Sequence, residues 1–294
     1  MSISSFSTNT LNNQLRKGSS TRRLSSTLLV EYLVVAGGGG GGGNTGDLWL
    51  SGGGGGGGNL SNSLTTVVGT TYNITVGAGG NRGTSVSSNN GAGTTQGGDG
   101  SNSNFGQIIS IGGGGGGASS GASGGQGSKT SGRNGGSGGG AGANYLSSTP
   151  IGGSATSGQG NSGGNGSTTG TGYAGGGGGA NSAGTGPTTG TGGGAGKTNT
   201  ITGQAVTYSI GGNVGISTPS NATSNTGNGG DTASAPANTL VNSANGGSGV
   251  IILAYPNNYP LLTVSVGLSY NLLYTRQGYI IYQFTGGIGT ITFN

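Results

Sequence analysis

The chain contains no histidine and no cysteine among its 294 residues. Imidazole bases, thiolate nucleophiles and Cys/His metal sites are therefore missing from its chemistry, and no disulfide can staple it. Carboxylates are also scarce. Glu31, Asp47, Asp99 and Asp231 are scattered along the chain, whereas paired-acid catalysis needs two supported carboxyls at one site. The expectation is a protein that is not an enzyme and holds no cofactor. Nine Lys and Arg against four acids give a net charge of +5, but a nucleic-acid surface clusters its cations, and the glycine region has only Arg82, Lys129, Arg133 and Lys197. No 18-residue apolar run is present, so no membrane span is expected. The first 27 residues lack the continuous apolar segment of a signal peptide. Thr21-Arg22-Arg23-Leu24 superficially suggests a twin-arginine signal, yet Glu31 interrupts the apolar stretch behind it and glycine follows where a cleavage site belongs.

Ordinary core material is thin as well. Leu, Ile, Val and Phe make up 50 of the 294 residues, below the roughly 20% at which highly charged chains stay disordered. The low net charge argues against that outcome. What the chain has instead is glycine, 80 residues of it, the residue that loses most backbone entropy on folding. Something other than a side-chain core must order this backbone.

Three zones follow one another. Residues 1 to 27 are polar and carry Arg16, Lys17, Arg22 and Arg23; they read as an arm that docks on a partner protein, with a short helix around Leu11 to Lys17 as the only plausible one. A solubilising arm is the plainer reading. Residues 28 to 255 hold nearly all the glycine, and 256 to 294 read as a small β-module. Within that module Tyr279 to Phe284 reads as a strand, Thr285-Gly286-Gly287 as a turn and Ile288 to Phe293 as the return strand. Leu262, Val264, Val266 and Leu268 alternate as one face of a further strand.

The glycine zone has no strict G-X-Y period, which disfavours collagen. It has pure runs at 37 to 43, 52 to 58, 112 to 117 and 175 to 179, separated by diluted ones such as Gly135 to Gly140. An extended threefold helix makes no internal hydrogen bonds and points its N–H and C=O groups sideways. Buried groups of this kind must be paired, and only glycine lets backbones approach closely enough to pair on every side. The fold expected is thus mostly irregular and all-β. It is a bundle, or sandwich, of extended polyglycine threefold helices with flanking β-strands and little or no α-helix. Gly37, Gly40, Gly43, Gly52, Gly55, Gly58, Gly112, Gly115, Gly175 and Gly178 are the candidate buried scaffold, with diluted runs at the rim. A flexible Gly/Ser linker is the plain alternative. Trp49, between two pure runs, reads either as a loop-tip contact or as a plug over helix ends.

Two apparent motifs carry nothing. Gly196-Lys197-Thr198 invites a phosphate-loop reading, but the required spacing needs glycine where Thr191 stands, and no apolar strand precedes it. Isolated G-x-G-x-x-G matches are expected by chance at this glycine content.

Tyr32-Leu33-Val34-Val35-Ala36 leading into Gly37 to Gly43 resembles the opening of the glycine-rich domain of tailed-phage tail fibre and adhesin proteins. Thr71-Tyr72-Asn73-Ile74-Thr75-Val76-Gly77-Ala78-Gly79-Gly80, Ser103-Asn104-Phe105-Gly106 and Gly246-Gly247-Ser248-Gly249-Val250-Ile251-Ile252 follow in the same order. Gly278 to Thr285 and Gly289 to Phe293 resemble a β-module attached to such domains, although in many relatives that strand comes first. The resemblance spans residues 28 to 294. It implies stacked polyglycine helices and a structural virion protein: a tail or capsid fibre subunit, or receptor-binding adhesin, with Tyr- and Asn-rich loops contacting a host receptor. A passive capsid decoration or cement protein, and a cellular surface adhesion or filament protein, are the alternatives. The expected setting is the virion, assembled in the host cytoplasm. The arm would bind other virion proteins, and the chain would form a homo-oligomer, a trimer being favoured.

Overall fold

The computed structural model describes residues 27–45, 49–87, 93–121, 129–145, 148–168, 172–188, 190–234 and 239–294. It is all-β, with no α-helix among the described residues. Arg16, Lys17, Arg22 and Arg23, and the helix considered at Leu11 to Lys17, lie outside them.

Eleven strands form: β1 (Thr27–Val35), β2 (Asn59–Val67), β3 (Thr71–Thr75), β4 (Ser103–Phe105), β5 (Ile108–Ser110), β6 (Lys197–Asn199), β7 (Val206–Tyr208), β8 (Val250–Pro256), β9 (Thr263–Val264), β10 (Leu268–Leu273) and β11 (Tyr279–Thr292). Nine belong to one sheet, ordered β2-β1-β8-β11-β3-β4-β5, with β9 and β10 also paired to β11. The sheet curls until β4 and β5 lie against β1 and is nearly closed. β6 and β7 form a separate hairpin.

β8, and β1 from Leu33 onward, are continuous apolar runs because both of their faces are covered there; nearer its start β1 alternates, with Leu29 exposed and Glu31 interrupting the run. On one side Leu28, Val30, Val34, Ile251, Leu253 and Tyr255 meet Ile74, Phe105, Phe284, Ile291 and Phe293 inside the curl. On the other, Leu33, Val35, Val250, Ile252 and Ala254 are buried with Ile281 and with Ile201 and Tyr208 of the β6–β7 region. Tyr72 packs tilted on Phe105 and edge-on to Phe293, at 4.9 and 5.9 Å between ring centroids, while Tyr282 stacks with Tyr255 and Phe284.

Two readings of the C-terminal strands need correction. Thr285-Gly286-Gly287 is not a hairpin turn. β11 runs straight through it for 14 residues, pairing with β8 up to Phe284 and with β3 from Ile288. The two glycines mark a bend, where the register against β10 shifts between Ser269 and Tyr270 and Gly287 takes a φ of +96° that a side chain would resist. Leu262 to Leu268 is not one strand either. Leu262 is buried while Val266 is 97% exposed, because Gly267, at φ +97°, turns the chain between β9 and β10.

Candidate functional site: a glycine backbone lattice and its rim

The four pure glycine runs are buried, and their hydrogen bonds repeat every third residue. Gly37, Gly40 and Gly43 donate N–H to the carbonyls of Ser101, Gly98 and Thr95; Gly38 and Gly41 donate to Gly247 and Ala244; Gly39 and Gly42 donate to Gly55 and Gly52. These bonds are 2.8–3.0 Å long, ordinary for N–H···O=C. The carbonyls of this run face three further segments. Gly37 and Gly40 accept from Gly113 and Gly116, Gly38 and Gly41 from Gly80 and Gly83, and Gly39 from Gly230. One extended run is thus held by six neighbours, three through its donors and three through its acceptors.

The same holds for residues 52–58. Their N–H groups reach the carbonyls of Ile111, Gly114 and Gly117, of Gly175 and Gly178, and of Gly227 and Gly230. Their carbonyls receive Gly39 and Gly42, Ser137 and Gly140, and Gly212. Such contact leaves no room for side chains. A Cβ at Gly37, Gly40 or Gly43 would run into the carbonyl of Ala78, Asn81 or Thr84. At Gly52 and Gly55 it would meet Gly140 and Ser137; at Gly112 and Gly115, Gly100 and Gly97; at Gly175 and Gly178, Gly164 and Asn161. Of the ten candidate scaffold glycines, Gly58 alone would be stopped first by a side chain, that of Gln159.

The diluted run 136–142 belongs to the buried interior and not to the rim. Its amides reach Asn161, Arg133, Gly53, Gly164 and Thr130 on neighbouring segments. Ser137 and Ala141 are both fully buried there, so small side chains are tolerated inside wherever the lattice leaves a gap.

At the rim, where a backbone neighbour is missing on one side, an Asn or Asp side chain replaces it. Asn134 Oδ1 accepts the N–H of Ser154 at 2.8 Å, while the next residue, Gly135, donates to the carbonyl of the same Ser154. The pair of bonds recurs at Asn228 with Ile210, at Asp231 with Asn213 and at Asn221 with Asn245. In a second form the two bonds fall two residues apart on the neighbouring segment. Asn165 takes Gly152 N–H while Gly166 donates to Pro150; Asn245 takes Arg82 while Gly246 donates to Gly80; Asp99 takes Gly115 while Gly100 donates to Gly113. Asp99 is further held by Arg133 Nε and Nη2 at 2.8 and 2.7 Å. These Asx residues were not singled out by sequence reasoning, although five of the seven carried a local signal, an Asx at the outward position followed by glycine at the inward one; Asp231 and Asn221 are followed by Thr232 and Ala222 instead.

Trp49 is buried, edge-on to Tyr145 at 5.6 Å, and Leu50 packs with Ala174 and Val214. That is the plug. Leu48 lies outside the described residues.

A surface depression of about 710 Å³ runs between β1–β2 and the β6–β7 hairpin. Two of its charged groups pair with each other: Arg276 Nη1 and Nη2 grip both carboxylate oxygens of Glu31 at 2.6 and 2.9 Å, and the guanidinium stacks 3.7 Å over the Tyr279 ring. Bonding to Glu31 pushes the Arg276 pKa up despite some desolvation. Lys197 also lines the groove, and Gly196-Lys197-Thr198 enters β6 without the helix a phosphate loop requires. Burial raises the tyrosine pKa values of Tyr255, Tyr282 and Tyr208, as expected of core phenols. Among the described residues there is no group of three or more His, Cys, Asp or Glu side chains placed to hold a metal ion, and no helix long and apolar enough to cross a membrane.

Among curated proteins the chain has no match. Residues 16–256 match the model of the glycine-rich domain, and the chain belongs to that family.

Proposed function

We propose that this protein is a non-enzymatic structural component of a virion, a tail or capsid fibre subunit or adhesin that presents surface loops on a scaffold of packed threefold glycine helices. One observation carries the reading: central runs hydrogen-bonded to six neighbours with a period of three. That pattern suits extended helices of three residues per turn, in which a seven-residue run spans about 22 Å at roughly 3.1 Å per residue. Backbone bonded in this way gives rigidity and reach without side-chain chemistry, which is what a fibre or tip protein needs. In the groove between β1–β2 and the β6–β7 hairpin Arg276 and Glu31 are engaged with each other, so the exposed loops are the better candidates for contact with a host receptor.

Assembly follows the same reading. The arm with Arg16, Lys17, Arg22 and Arg23 docks on a neighbouring virion protein, and identical chains assemble as a trimer whose symmetry hides sheet edges such as β2. The test is antibody labelling of intact particles, with the full-length protein and a variant lacking residues 1 to 23 compared for incorporation. Label confined to fibre or tail tips, and lost with the arm, supports the proposal. Label spread evenly over a capsid favours a cement protein, and absence from particles with label on cell surfaces favours a cellular adhesion protein. A monomer by light scattering counts against the trimer.

A further inference from the structure

The four Asn-Gly steps among the described residues, Asn134-Gly135, Asn165-Gly166, Asn228-Gly229 and Asn245-Gly246, all sit in the rim clasp described above. Asn-Gly is the dipeptide with least steric hindrance to succinimide formation, because glycine has no side chain to obstruct its own nitrogen. In that reaction the glycine backbone nitrogen loses its proton to solvent base and attacks the Asn side-chain carbonyl carbon. The new N–C bond closes a five-membered ring, the bond from that carbon to the side-chain nitrogen breaks, and the nitrogen leaves as ammonia after taking a proton from water. Water then opens the ring to aspartate or isoaspartate, with nothing oxidised or reduced.

We propose that these four asparagines are latent deamidation sites that the glycine lattice holds unreactive, so that chemical ageing of the protein is coupled to opening of its rim. Two hydrogen bonds block the step at each site. The attacking N–H is occupied: Gly135, Gly166, Gly229 and Gly246 donate to Ser154, Pro150, Ile210 and Gly80 at 3.2, 3.0, 2.8 and 2.9 Å. The electrophile is held in place too. Each Asn Oδ1 accepts an amide of the neighbouring segment at 2.8–3.0 Å, which keeps the side-chain carbonyl from swinging toward the glycine nitrogen. Reaction needs near-attack geometry between nitrogen and carbon, and reaching it requires both bonds to open together. The asparagine side chains are exposed or half-buried, whereas the attacking glycines are buried or half-buried, so local opening is what limits the rate. Conversion would put a carboxylate on the rim and, as isoaspartate, insert an extra backbone atom into a segment packed against its neighbours.

The test compares full-length folded protein with the same protein in concentrated urea, at equal mildly alkaline pH and temperature. Deamidation and isoaspartate at each Asn-Gly step are read by peptide mapping and mass spectrometry. Each of the four sites should react at least about tenfold more slowly in the folded protein, since two net-stabilising hydrogen bonds must break first. Equal rates in the two states would overturn the proposal. A second measurement needs one variant, Ser154→Pro. Proline suits an extended threefold conformation and removes only the N–H that Asn134 accepts. Faster reaction at Asn134, with Asn165, Asn228 and Asn245 unchanged, is the expected result. An Asn134 rate identical to the parent's, in a variant with the parent's melting curve, would overturn the two-bond account. Should Ser154→Pro fail to fold, the folded-versus-urea comparison decides alone.

Discussion

The curled sheet and the glycine lattice solve the same problem, that of pairing every buried N–H and C=O, in opposite ways. In the sheet each strand pairs edge to edge within one surface, and the two faces left over are filled by side chains such as Val34, Ile251, Phe284 and Phe293. In the lattice an extended run pairs on all sides, as Gly37 to Gly43 does with six neighbours, and no face is left over. The sheet therefore depends on what its side chains fill, and the lattice on side chains being absent. The two regions should respond inversely to mutation: the lattice fails when atoms are added, the sheet when they are removed.

The largest effect is expected where an atom is added at a buried glycine of the lattice. Gly115→Val would place its Cβ against the carbonyls of Gly97 and Gly98, all of it backbone that cannot turn aside. Parting those segments would also strain the bond from the Gly115 N–H to Asp99 Oδ1. The cost should exceed about 4 kcal/mol, the range reserved for severe defects, and show as loss of the cooperative melting transition. Next comes removal from the sheet. Phe284 is fully buried between Tyr270 and Tyr282, and Phe284→Ala should cost about 3–5 kcal/mol in urea unfolding while leaving a folded protein. If the glycine change proves the milder of the two, the contrast between the regions fails.

A sharper version of the comparison uses one residue type in both places. Gly286 lies at the bend of β11 with nothing within 4 Å of a would-be Cβ and without a positive φ. Gly286→Ala should be neutral or stabilise by roughly 0.4–1 kcal/mol, by restricting the unfolded chain. Glycine would then be indispensable at 115 and dispensable at 286, with packing alone making the difference. A large loss of stability for Gly286→Ala would mean that the bend needs glycine in its own right.

Much of this division was legible in the sequence. The apolar residues of Leu33 to Val35 and Val250 to Leu253 stand out because strands covered on both faces need no polar alternation, and the pure glycine runs stand out by composition. Register and bends did not. Gly286-Gly287 carries the composition of a hairpin turn, and only the pairing of Phe284 with β8 and Ile288 with β3 shows a single strand changing partners. Interior and rim were also hard to separate, because Ser137 and Ala141 dilute a run that is nonetheless enclosed. In the lattice the neighbours of a glycine are distant in sequence, as with Gly54 and Gly230, and glycine itself carries no periodic side-chain signal. The Asx-glycine steps do carry one, since the outward residue must be able to replace a missing backbone acceptor.

The smallest effect concerns one of these rim residues. Asp231 is partly buried, and desolvation raises its pKa, opposed by the N–H of Asn213 that its Oδ1 accepts at 2.7 Å. A carboxyl whose pKa is higher in the folded than in the unfolded state binds more protons when folded. Its contribution is therefore most favourable below the unfolded value and is lost as pH rises through the folded one. At neutral pH the charged Asp231 is a mild liability that the fold tolerates for the sake of the clasp. Asparagine keeps the Oδ1 acceptor without the charge, as Asn134 and Asn228 already do in the same geometry. Asp231→Asn should leave the melting temperature at neutral pH unchanged or slightly higher, and should remove a shallow decline in stability across the acid range just above the ordinary aspartate pKa. Thermal melts of both proteins at stepped pH would check this. A lower melting temperature for Asp231→Asn at neutral pH would show that the carboxylate's charge itself strengthens the bond to Asn213, and that the rim depends on more than the position of an acceptor.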